Sequence, residues 1–79
     1  MDLFANKIKE LRVAAGLSQE KLAKHLGITV KSVQRYERGY RPDTYALVKL
    51  ATFFDVSVDY LLGLKGYKEQ MKERETQIK

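Results

Sequence analysis

Cysteine is absent from this sequence, and histidine occurs once, at His25. Without cysteine there can be neither a disulfide nor a thiolate-held zinc ion, so apolar packing must hold the core, which suits a reducing compartment. A single imidazole is too few to build a metal centre. No stretch approaches the run of about 18 apolar residues that a membrane-spanning helix needs. The first residues lack the basic segment and apolar run of a secretory signal. Also missing are the period-two alternation of half-buried strands, internal repeats, low-complexity tracts and Ser/Pro linkers.

What is present fits one small domain. A chain of 79 residues buries only about 60% of its unfolded surface, enough to fold unstapled and more secure when paired with a copy of itself. Fifteen Lys and Arg against ten Asp and Glu leave a net charge of +5. That excess suits a polyanionic partner without naming one.

Helical spacing recurs along the chain. Phe4, Ile8, Leu11 and Ala15 form one stripe with Gly16 as its stop; Ser18 caps a second helix carrying Leu22, Ala23 and Leu26, and Gly27 turns the chain. Thr29 caps a third helix over residues 30–38, with Val33 and Tyr36 facing inward and Gly39 closing it. Pro42 and Asp43 begin a fourth helix with a stripe of Leu47, Leu50, Ala51 and Phe54. Ser57 and Asp59 open a fifth that runs to Gly63. The expected fold class is all-α: a compact domain of five helices over residues 1–64, followed by a polar, charged C-terminal tail at 65–79.

Residues 19–38, QEKLAKHLGITVKSVQRYER, carry the specific signal. Two helices joined by a tight turn at a steep angle need a small residue at the crossing, Ala23, and a glycine at the reversal, Gly27. Leu22, Leu26, Ile28, Val33 and Tyr36 supply the apolar contacts that lock the angle. At about 100° per residue, Val33, Tyr36 and Glu37 share one side of the third helix, and Lys31, Gln34, Arg35 and Arg38 lie opposite. Arg and Lys donate to guanine O6 and N7, Gln pairs with adenine, and an apolar Val30 suits a thymine methyl.

This pattern resembles the lambda-repressor and Cro type of helix-turn-helix domain, the XRE family. The resemblance covers residues 4–62 through IKELRVAAGLSQEKLAKHLGI, VKSVQRYERGYRPD and LVKLATFFDVSVDYLLG. It implies a five-helix DNA-binding domain, cytoplasmic regulation of transcription, most often repression, and a homodimer on a palindromic operator in double-stranded DNA. By matching position it implies base reading by Val30, Lys31, Gln34 and Arg35. It further implies phosphate or backbone contacts by Gln19, Thr29, Ser32, Arg38, Tyr40 and Arg41, and a structural salt bridge between Arg12 and Glu37.

Other residues have plainer readings. Lys7, Lys9, Lys21, Lys24 and Lys49 are solvated charges or phosphate contacts, and spacing does not separate the two. Ser18 is a cap and not a nucleophile, since no base has a reason to sit beside it. His25 is a surface residue, and Gly63 with Gly66 makes no phosphate loop, because no strand precedes them. No catalytic constellation, metal site or cofactor site is expected, so the chain is not read as an enzyme. A homodimer contact is expected at Tyr60, Leu61, Leu64 and Tyr67. A seam of Tyr60, Leu64, Tyr67, Met71, Arg74 and Ile78 makes the tail a helical extension, a dimer contact or a linker. The rival reading is an antitoxin-type module whose tail binds a toxin protein while the helix-turn-helix tunes its own operon.

Overall fold

The computed structural model describes residues 3–64, so Gly66, Tyr67, Met71, Arg74, Ile78 and the roles proposed for the tail lie outside the described residues. Five helices follow in order: α1 (Leu3–Ala14), α2 (Gln19–Leu26), α3 (Val30–Tyr36), α4 (Thr44–Phe54) and α5 (Val58–Leu61). None is long enough to be stable alone in water, so capping and burial have to hold them. The side chains of Ser18, Thr29, Asp43 and Ser57 accept the amide N–H of Lys21, Ser32, Ala46 and Tyr60, satisfying helix-end donors on α2 to α5. Each such cap contributes about 1 kcal/mol.

The C-terminal ends share one reverse turn. The amides of Leu17, Ile28, Tyr40, Val56 and Leu64 donate to the carbonyls of Arg12, Ala23, Arg35, Ala51 and Asp59, all at 3.0–3.1 Å. This pairing closes a helix through a left-handed residue. The left-handed position is glycine in α1, α2, α3 and α5, and Asp55 (φ 55°) in α4. Such turns let short helices reverse within a few residues and pack around one centre.

That centre consists of Phe4, Ile8, Leu22, Ala23, Leu26, Val33, Leu50, Ala51 and Leu61. All five helices contribute, with α2 packed chiefly on α3, α1 on α5 and α3, and α4 on α2 and α5. Three details depart from the sequence reading. Ala15 is exposed and lies beyond the end of α1, and Ala5 is buried in its place. Regular α3 stops at Tyr36 because the turn through Gly39 (φ 104°) starts to close there. Asp43 alone caps α4, with Pro42 in the segment that precedes the helix.

Gly63 holds the two ends of the described domain together. A Cβ there would fall 2.5 Å from Leu3 Cβ, and its φ of +76° disfavours any L side chain. Gly63→Ala is therefore expected to lower the unfolding free energy by about 1–3 kcal/mol. Urea denaturation followed by circular dichroism measures this; an unchanged midpoint would mean that α1 yields freely at Leu3.

Among the described residues, no helix is long and apolar enough to cross a membrane, and no three His, Cys, Asp or Glu side chains gather to hold a metal ion.

Candidate nucleic-acid interface

The outer side of α3 is built from its first residue. Thr29 caps the helix, and its hydroxyl also pairs with Ser32 Oγ at 3.0 Å. Ser32 in turn hydrogen-bonds Tyr36. Burial, then the nearby Asp43 charge, pushes the Tyr36 phenol above its ordinary value near 10, outweighing the opposing Ser32 bond and Arg35. A neutral phenol and two hydroxyls thus run up one flank of the helix. The adjoining flank anchors it, with Val33 fully buried and Val30 packed partly against the core.

Between these flanks Lys31 and Arg35 are exposed and Gln34 is half-buried, as is Ser32. Arg38, Tyr40 and Arg41 continue the exposed surface past the end of the helix. Seven residues at about 1.5 Å each give α3 a length near 10 Å, comparable with a major groove about 12 Å wide.

A charged cluster fixes α3 from behind. Arg12 Nε donates to Glu37 Oε2 at 2.6 Å and Arg12 Nη2 to Glu37 Oε1 at 3.2 Å, a two-pronged pair. The third prong, Nη1, donates to the Leu17 carbonyl at 2.8 Å, so one arginine ties α1 to the approach to α2 and to the end of α3. Gln19 Nε2 also donates to Glu37 Oε1, at 3.1 Å, which sets the orientation of that amide at the start of α2. Glu37 sits at the negative end of the α3 dipole, where a carboxylate is disfavoured. These three donor contacts offset that cost.

The remaining assigned residues divide. Arg41 lies over the buried Phe4 ring, 4.8 Å from its centroid, and donates to the Gly39 carbonyl at 3.2 Å, so part of its role is to cover the core. Arg35 lies 5.2 Å from the centroid of the Tyr40 ring. Leu61 requires a correction: placed at a dimer contact by sequence, it has no exposed surface and packs in the core. The single turn of α5 points it inward, leaving Tyr60 half-buried beneath Lys7 and Leu64 largely exposed. Tyr67 lies outside the described residues.

Sequence reasoning missed Lys49. Its Nζ donates to the Leu26 carbonyl at 2.9 Å and lies 4.9 Å from the Tyr45 ring centroid, capping α2 beside the Gly27 turn. A cation at a helix C-terminus is favoured, but the partner lies 23 positions away, and no local pattern reports it.

This arrangement, two capped helices around a glycine turn with the second presenting amide and basic side chains outward, agrees with a match of the helix-turn-helix family model to residues 8–61. The chain belongs to the XRE-type helix-turn-helix family. This helix-turn-helix chain is 42% identical over 76 residues to the HTH-type transcriptional regulator ImmR of Bacillus subtilis (strain 168), covering 95% of the chain and 58% of ImmR. It is 34% identical over 62 residues to the cryptic phage CTXphi transcriptional repressor RstR of Vibrio cholerae, covering 77% and 56%. It is likewise 34% identical over 62 residues to the HTH-type transcriptional activator BcrR of Enterococcus faecalis, covering 76% and 30%. The chain thus spans less than two thirds of the length of each of these relatives.

Proposed function

We propose that this protein is a DNA-binding transcriptional regulator that lays α3 in the major groove of a duplex. The observation that carries the reading is the outward side of α3, where Lys31 and Arg35 are exposed and Gln34 half-buried, on a helix fixed from behind by Arg12, Glu37 and Gln19. Val30, Lys31, Gln34 and Arg35 are assigned to base edges, and Gln19, Thr29, Ser32, Arg38, Tyr40 and Arg41 to the phosphate backbone. Backbone contacts supply most of the affinity and its salt dependence, and base contacts supply the discrimination. The relatives' names, a transcriptional regulator and a transcriptional repressor among them, support regulation over catalysis.

The finer reading is a homodimer on a palindromic operator, with half-sites about 34 Å apart. Residues 1–64 form the DNA-binding domain and Tyr60 and Leu64 contribute to the pairing surface. Repression in the cytoplasm, by covering a promoter, is the favoured direction; the name of RstR supports it, whereas that of BcrR belongs to an activator.

Selection from a random duplex library, with the wild type and Gln34→Ala side by side, tests the proposal. The wild type is expected to select one motif repeated with inverted symmetry, and Gln34→Ala to lose preference at one base pair of each half by roughly five- to 150-fold. A single unrepeated motif would remove the dimer, and no motif at all would remove base reading.

A further inference from the structure

Arg35 and Tyr40 are joined twice. The Tyr40 amide donates to the Arg35 carbonyl at 3.1 Å, and the guanidinium carbon lies 5.2 Å from the centre of the Tyr40 ring. The first contact produces the second: the chain reverses at Gly39, where φ is 104°, and the closing hydrogen bond brings residue 40 back beside residue 35. The core does not need this ring, since 59% of Tyr40 is exposed. By contrast, Arg41 rests on Phe4, which belongs to the core.

We propose that Tyr40 is a positioning residue for Arg35, its ring forming a platform that holds the guanidinium ready for a guanine edge; this rests on the reading of α3 as the base-reading helix. Resting a guanidinium against an aromatic ring engages its face and leaves the N–H donors in its plane available. Those donors are the ones that guanine O6 and N7 accept. An unsupported arginine samples many rotamers and loses that freedom on binding. A guanidinium already held by the ring loses less, so the ring improves the contact without itself touching a base.

The resemblance placed Tyr40 at a backbone contact, which would use its hydroxyl, whereas the platform uses the ring. Tyr40→Phe and Tyr40→Leu separate the two. The experiment measures binding of the wild type, both variants and Arg35→Ala to the selected duplex and to duplexes changed at single base pairs. The pair whose preference Arg35→Ala erases is the one Arg35 reads. Tyr40→Leu is expected to reduce preference at that pair by about two- to fivefold, while Tyr40→Phe retains the preference and loses affinity equally for all duplexes. In the Arg35→Ala background, Tyr40→Leu is expected to have no further effect on preference. In the free protein, the Arg35 side-chain N–H resonance should carry a ring-current shift in the wild type and Tyr40→Phe, and lose it in Tyr40→Leu.

Preference left intact by Tyr40→Leu, or lowered equally by Leu and Phe, would overturn the platform while base reading by α3 stands. A wild type that selects no sequence would overturn base reading, and the platform with it.

Discussion

Arg12→Ala is expected to lower the unfolding free energy by about 3–5 kcal/mol, the cost of leaving a largely covered carboxylate without its partner. The Glu37 and Arg12 side chains are only 7% and 13% exposed. With Arg12 removed, the carboxylate keeps the Gln19 amide but remains largely dehydrated at the unfavourable end of α3. For a domain of this size, each kcal/mol moves the thermal midpoint by roughly 4–8 °C. A drop of more than about 12 °C should follow in melts read by circular dichroism. Arg12→Met combined with Glu37→Met should recover part of the loss, because an apolar pair of similar volume strands no charge. A loss below about 1 kcal/mol for Arg12→Ala would place the pair among solvent-screened surface bridges.

Replacing Lys31 and Arg35 together with alanine is expected to abolish most sequence preference while sparing the fold, because both side chains are exposed. Two base contacts worth about 1–3 kcal/mol each correspond to a combined loss of discrimination of roughly 30-fold to 10⁴-fold. Binding to unrelated duplexes should fall much less, since backbone contacts supply it. Arg38→Ala should do the opposite: weaken binding to every duplex and reduce the slope of log K against log salt by about 0.9. Competition titrations at several salt concentrations give both quantities. Equal losses of specific and non-specific affinity in the Lys31, Arg35 double variant would move these residues to the backbone class.

The helices were legible because their signals are local. Ser18, Thr29 and Ser57 announce helix starts a few residues before the apolar positions they serve, and Gly16, Gly27, Gly39 and Gly63 announce the turns. Arg12 and Glu37 could be paired only through family resemblance, since no periodicity links residues 25 positions apart. Lys49 was unreadable for the same reason: its partner is a main-chain carbonyl, which leaves no mark on the side-chain pattern. Leu61 was misplaced because α5 is a single turn of four residues, too short for spacing to separate the inner side from the outer. Arg35 and Tyr40 meet only because α3 closes earlier than its polar pattern suggests, bringing the following segment back alongside it.

Dimethyl sulfate footprinting of the selected duplex tests the central claim most directly, because methylation at guanine N7 reports the major-groove edge. The account predicts guanines protected by the wild type in each half-site, at least one of which becomes reactive again with Arg35→Ala. A site bound tightly with every major-groove guanine still reactive, or protection that survives loss of both Lys31 and Arg35, would contradict it.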